Sequence, residues 1–266
     1  MKKEITIDEQ KKILIKILAY VDNICRKNNI KYSLIGGSLI GAIRHNGFIP
    51  WDDDIDIILM PKEYKKLICA LKQRNDYELL IPSESKGYYY PFAKLVDKQT
   101  VLYEYNAKHI PNYGVYIDIF QYRYISNNKI LQTISYMKQS ILKDMISLSM
   151  VSNTRTKEEK NILKKIAFYL ARKTNTQTWL NMYLKCMNQK TSNHIVSSWP
   201  VYGKTKEIQH INDTKHYEYH IFENIDAMIF SSYDSILKTT FGNYMQLPPK
   251  EKQKTHHKMK IYRKEP

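Results

Sequence analysis

The sequence predicts a mixed α/β fold with a helical insert or lobe. Three observations carry that expectation. Short aromatic and β-branched runs alternate with amphipathic helical patterns across 1–128. A long helical stretch, containing ILQTISYMKQSILKDMISLSM and EEKNILKKIAFYLARK, then interrupts the strands. Strand and turn signals return after it, ending in a basic tail.

The elements follow in order. Thr6-x-x-Glu9 reads as a capping box, and Ile13, Leu14, Ile17, Leu18, Val21, Ile24 and Cys25 recur at helical spacing, so a helix is expected over 8–28. Lys31 to Ile35 reads as a short strand that stops at Gly36-Gly37. A short helix starts near Ser38 and ends before Gly47, and Asp54 to Met60 reads as a second strand. Pro61 opens the next helix, where a missing N–H costs nothing. Tyr77 to Ile81, Pro91 to Val96, Val101 to Tyr105 and Val115 to Phe120 are expected strands. Residues 129–190 read as helical, broken at Ser152-Asn153-Thr154. A strand is expected at His194 to Trp199, then a helix in SYDSILKTTFGNY stopped by Gly242. The tail from Lys250 onward is expected to be partly mobile, and the chain contains no internal repeat.

Composition narrows the function classes. Of the 266 residues, 43% are hydrophobic and 26% charged, as in a globular protein able to build a real core. No run reaches the roughly 18 apolar residues of a membrane span, and MKKEITIDEQKK lacks the apolar stretch of a secretory signal. Cys25, Cys69 and Cys186 are far apart and odd in number, which fits neither a disulfide framework nor a zinc site, and a reducing cytoplasm is the expected compartment. A net charge of +16 calls for an anionic partner. No zinc module, RNA-binding aromatic signature or zipper accompanies the charge, so nucleic acid is not expected.

The chemistry concentrates in GGSLIGAIRHNGFIPWDDDIDIILM, from Gly36 to Met60. Asp52, Asp53, Asp54 and Asp56 crowd against Ile55, Ile57 and Ile58. Repulsion and desolvation oppose such an arrangement unless a positive partner is present. Alternate strand residues face one way, so Asp54 and Asp56 are expected to project together while Ile55 and Ile57 enter the core. Two hard carboxylates suit Mg²⁺ or Mn²⁺ carrying substrate phosphates; a solvated acidic loop is the competing account. Gly36, Gly37 and Ser38 end a strand and open a helix, where free N–H groups can take phosphate. A strand, a GGS turn, a short helix and a DxD strand together form the arrangement of a nucleotidyltransferase-type fold. A third carboxylate is expected on a neighbouring strand, and Asp118, the one charge within Val115 to Phe120, is the candidate. Either a metal or an ion pair with a Lys or Arg would satisfy it.

The motifs closely resemble those of the LicD family, phosphotransferases related to fukutin and the fukutin-related protein. The resemblance includes Gly37, Ser38, Leu39, Gly41, Arg44, His45 and the run Gly47 to Asp54 with Asp56. It extends to IDIF at Ile117 to Phe120 and to FGNYMQLPP at Phe241 to Pro249. Gln121, Tyr122 and Arg123 depart from the family, where a proline and an acidic residue often follow. The resemblance implies transfer of a phosphorylated group, most typically phosphocholine from CDP-choline, to a teichoic acid, lipopolysaccharide or capsule sugar with release of CMP. It implies a CDP-linked donor and a glycan acceptor, with lipid-linked acceptors and peripheral contact at the inner membrane face as further expectations. Asp54, Asp56 and Asp118 become the expected metal ligands and catalytic residues, with Asp118 holding a second metal or taking the attacking hydroxyl's proton. Gly36, Gly37, Ser38, Arg44 and Trp51 become the expected substrate-binding set. The competing role for Arg44 is a salt bridge to Asp52 or Asp53, and that for Trp51 is core packing. His45 is not expected to act as a base, and His256-His257 fits exposure better than phosphate contact. Tyrosines 88–90, those within 113–124, or aromatics of the helical insert are the expected cage for a trimethylammonium group. The competing functions are NMP transfer to a small molecule and non-catalytic nucleic-acid binding. The expected organisation is a catalytic core over 1–128, a helical insert or lobe over 129–192, a completing part over 193–250 and a basic tail over 251–266.

Overall fold

The structure, a computed structural model, describes residues 3–105, 107–151, 162–187, 191–255 and 259–264. The expected break at Ser152-Asn153-Thr154 and the His256-His257 pair lie outside those residues. The first helix, α1 (Ile7–Lys27), begins as its sequence requires. The Thr6 hydroxyl accepts from Glu9 N at 3.2 Å, and the Glu9 carboxylate accepts from Thr6 N at 3.0 Å. Its apolar stripe, including Leu14, Ile17, Leu18 and Val21, is buried in the core.

Next come β1 (Ser33–Leu34), α2 (Gly36–His45), β2 (Asp56–Leu59) and α3 (Pro61–Lys72), with Pro61 in the first turn. Strands β3 (Glu78–Leu80), β4 (Ala93–Val96), β5 (Thr100–Glu104) and β6 (Tyr116–Ile125) follow. The main sheet is mixed. β6 lies parallel to β2 on one side and antiparallel to β4 on the other, giving the order β1-β2-β6-β4-β3. β6 runs ten residues, past the predicted end at Phe120. Gln121 and Arg123 disguise its second half, but the buried Arg123 Nε donates to Gln139 Oε1 at 2.7 Å, so its N–H is satisfied there. That second half pairs with β7 (His194–Ser197), which pairs with β8 (Gln209–His210).

Among the described residues, the helices between β6 and β7 are α4 (Lys129–Met150), α5 (Ile162–Lys173) and α6 (Thr176–Cys186). The Asn128 and Asn175 side chains cap α4 and α6. After β7 come α7 (Lys204–Glu207) and later α8 (Tyr233–Phe241), which stops at Gly242 with φ 70°. Between them lies a hairpin that the sequence pattern did not predict, β9 (Tyr217–Phe222) with β10 (Ile225–Phe230). Its turn places Glu223 at φ 57° and contains no glycine, so the usual signal is missing. The basic tail also contributes a strand. Residues Met259–Arg263 form β11, antiparallel to β5, and bury Ile261. The three cysteines are free, and among the described residues no helix is long and apolar enough to cross a membrane.

Candidate active site

The site is assembled where α2 begins, beside β2 and β6. Gly36 sits at φ 61°, a left-handed conformation that glycine adopts without strain. Gly37 lies so close to the Asp52 carboxylate that a Cβ would collide with it. The buried Ser38 hydroxyl accepts from Asp56 N at 2.9 Å, which clips the helix start to the head of β2. The GGS turn and the acidic run are thus one local structure.

The loop before β2 is held from behind. Gln10 Nε2 donates to Asp53 O at 2.7 Å, and Lys11 Nζ donates to Pro50 O at 3.0 Å. Asp52, Asp53 and Asp54 bring one carboxylate oxygen each within 4.8 Å of one another. Asp54 lies just ahead of β2, which starts at Asp56, so the predicted strand is shorter at its acidic end. Ile55 and Ile57 are fully buried, as the alternation required.

Asp56 is paired in register with Asp118 on β6, and Asp118 with Lys94 on β4. Residues in register on adjacent strands share a face, so the three form a row across the sheet. Lys94 Nζ meets Asp118 Oδ1 at 2.5 Å, and the ammonium lies 3.5 Å from the centre of the Tyr116 ring. Of the two ways to satisfy Asp118, the structure provides the ion pair. Lys94 escaped the sequence reading although its signal matched that of Asp118: a lone charge within FAKLV.

Asp56 is treated differently. Its Oδ1 is buried and has no hydrogen-bond partner among the described residues. Burial pushes its carboxyl well above the usual range, and the nearby Asp54 and Asp118 push the same way. An orphaned carboxylate oxygen beside further carboxylates is an environment that a divalent cation fits, because hard oxygen donors gather there and their negative charge outnumbers the one nearby ammonium, Lys94.

A cavity of about 100 Å³ opens beside Gly36 and Asp56. Phe120, Tyr122, Trp199, Tyr202 and Phe241 give it aromatic surface. The buried Glu207 carboxylate fixes one wall by accepting from Val201 N, from Tyr202 N at 2.9 Å and from the Tyr136 hydroxyl at 2.6 Å. Trp199, Tyr202 and Phe241 come from segments far apart in sequence, and no local pattern marks them as neighbours. Of the tyrosines expected to cage a cation, Tyr122 reaches this cavity. Tyr90, Tyr113 and Tyr116 instead surround Lys94, and Tyr88 is buried with its hydroxyl donating to Phe92 O at 2.7 Å.

Arg44 and Trp51 stand elsewhere. Arg44 donates to Tyr244 O at 2.5 Å, to Gln246 O at 3.3 Å and to His45 Nε2 at 2.9 Å, so it ties the distal FGNYMQ segment to the end of α2. Trp51 is partly buried and packs against the main core.

The sequence is similar to those of known transferases. Residues 29–149 match the family described as LicD/FKTN/FKRP, nucleotidyltransferase domain. The chain is 31% identical over 267 residues to the lipopolysaccharide cholinephosphotransferase LicD of Haemophilus influenzae, covering 98% of this chain and 99% of that protein. A 38-residue stretch, 14% of this chain and 8% of the relative, is 47% identical to human ribitol 5-phosphate transferase FKRP. An uncharacterized Rickettsia typhi protein is 37% identical over 75 residues, 27% of this chain and 24% of its own length. The chain belongs to the LicD family, and it is an enzyme.

Proposed function

We propose that the chain transfers phosphocholine from a CDP-linked donor to a cell-surface glycan, releasing CMP. The observation that carries the head-group assignment is the aromatic cavity beside Gly36 and Asp56. A trimethylammonium group has no N–H to donate and gains about 0.5–2 kcal/mol from each aromatic face. A polyol head group would need free hydrogen-bonding side chains there, whereas Glu207, Gln209 and Thr240 of the lining already bond within the protein. The similarity to a lipopolysaccharide cholinephosphotransferase supports the same head group, and a lipopolysaccharide or teichoic acid sugar is the acceptor class in this reading.

The architecture is read as nucleotidyltransferase type: β1, the glycine start of α2, β2 with Asp56, and β6 with Asp118. Asp54, Asp56 and Asp118 would hold Mg²⁺ or Mn²⁺, which when bound would neutralise the donor pyrophosphate and the leaving CMP. The free N–H groups at the start of α2 offer a seat for a donor phosphate. The acceptor hydroxyl oxygen attacks the choline-bearing phosphorus, the bond from that phosphorus to CMP breaks, and the hydroxyl proton leaves to a carboxylate. Asp118 serves as that acceptor or as ligand of a second ion.

The test is a screen of CDP-linked donors with Mg²⁺, reading binding by calorimetry and products by mass spectrometry. CDP-choline should bind more tightly than CMP or CDP-ribitol, and turnover should release CMP. Release of pyrophosphate from a nucleoside triphosphate would replace this reading with nucleotidyl transfer. Tighter binding of CDP-ribitol would remove choline and leave phosphotransfer standing.

A further inference from the structure

Half of the large exposed apolar side chains sit on two helices. Ten of twenty among the described residues belong to α4 and α5, which together hold 34 of the 266 residues. On α4, Ile130, Ile134, Met137 and Ile141 recur at steps of three and four and therefore share one face. Ile130 is 71% exposed and Ile141 59%. On α5, Ile162, Ile166 and Tyr169 repeat the pattern, with Ile162 71% and Tyr169 67% exposed. Only Phe168 and Ala171 of α5 are buried. Ordinary solvated helices are not patterned this way, and contiguous exposed apolar surface marks a contact site.

Charge says what the contact is. Helices α4, α5 and α6 carry eight basic residues and one acidic residue, Asp144. Two of the basic groups point inward: Lys143 Nζ donates to Pro200 O at 2.8 Å, and Arg172 donates to Val151 O. Lys129, Lys138, Lys164, Lys165, Lys173 and Lys185 remain at the surface. Aliphatic stripes flanked by lysines, with almost no acid, complement a surface that is negative outside and apolar beneath. A second copy would set the same lysines against each other across a symmetric interface, which like-charge repulsion opposes.

We infer that the outer face of α4 and α5 docks on an anionic lipid bilayer. The helices would lie in the plane of the interface, since none is able to cross it. The inference is independent of the donor's identity.

The experiment is flotation of the full chain with vesicles of phosphatidylglycerol and phosphatidylcholine, against phosphatidylcholine alone, at low and high salt. Binding should be at least about tenfold tighter to the anionic vesicles and should weaken with salt. Two double variants, Ile134→Glu with Ile141→Glu and Ile166→Glu with Tyr169→Glu, should each lower anionic-vesicle binding at least about tenfold while the melting temperature holds. A third, Lys165→Glu with Lys173→Glu, should lower it through charge alone. Absence of flotation, equal binding to both vesicle types, or unchanged binding in the variants overturns the inference. A dimer in sedimentation that the same apolar substitutions dissolve would overturn it in favour of a second copy.

Discussion

Asp56 is the residue on which the site's electrostatics turn. Its buried, unpartnered Oδ1 and raised carboxyl both follow from burial among other carboxylates. A raised carboxyl means that the folded state holds its proton to higher pH than the unfolded chain does. Stability of the metal-free protein should therefore fall as pH climbs from the ordinary carboxylate range through the raised value, then level off. Thermal melts in EDTA across that range should show the decline, and Asp56→Asn should flatten it. An equal decline in the variant would remove Asp56 as its source. With Mg²⁺ added, wild type should gain melting temperature and Asp56→Asn should not, and turnover in the variant should be lost. Lys94 and Asp118 form a second, separable pair. Lys94→Met removes the ammonium from beside the partly buried Asp118 carboxylate and should cost up to about 3–5 kcal/mol in urea unfolding, with part of the loss recovered when Asp118→Asn is added. Asp118→Asn alone should lower the rate per folded molecule by about 10²-fold or more. A normal rate with lower stability would leave it only the ion-pair role.

At the scale of elements, α2 and β6 do most of the positioning. Helix α2 is fastened to β2 through Ser38, so Ser38→Ala should strand the Asp56 N–H and cost about 1–3 kcal/mol. Retention of full stability would mean that another acceptor takes its place. Strand β6 pairs with three strands: its first half, between β2 and β4, puts Asp118 beside Asp56 and Lys94, and its second half carries Tyr122 to β7 and the cavity. One rigid strand thus links the carboxylate row to the aromatic wall. If that wall holds the donor's head group, Trp199→Ala should weaken CDP-choline binding by about 2- to 30-fold and leave CMP binding nearly unchanged. Equal losses for both ligands would move the head group elsewhere.

Across the whole molecule, distant segments close the structure. Arg44 holds the carbonyls of Tyr244 and Gln246, Tyr32 and Ser33 receive N–H groups from β10, and β11 returns to β5 while Ile261 O accepts from Ile5 N at 3.0 Å. The C-terminal strand thereby joins the chain's beginning to its middle. Ile261→Ala should cost about 2–5 kcal/mol, measured by urea unfolding, because the side chain is buried between those segments. A loss below about 1 kcal/mol would show that the strand contributes little.

Much of this was legible locally. The capping box of α1, the proline start of α3 and the burial of Ile55 and Ile57 all follow from periodicity and backbone chemistry acting within a few residues, whereas the glycines expected as a turn ahead of a helix near Ser38 are instead the first residues of α2. The crowded aspartates and the lone charge at Asp118 were visible for the same reason: charge against apolar residues is conspicuous in one dimension. What tertiary structure decided was partnership. Register alone brings Lys94 to Asp118, and a strand continuing past Gln121 places Tyr122 in the same cavity lining as Trp199 and Phe241. The hairpin with Glu223 at its turn and the strand in the basic tail also depend on distant hydrogen bonds and burial, which outweigh weak local preference. Local spacing determines which face a side chain takes; which groups share that face depends on strand pairing between residues far apart in the chain.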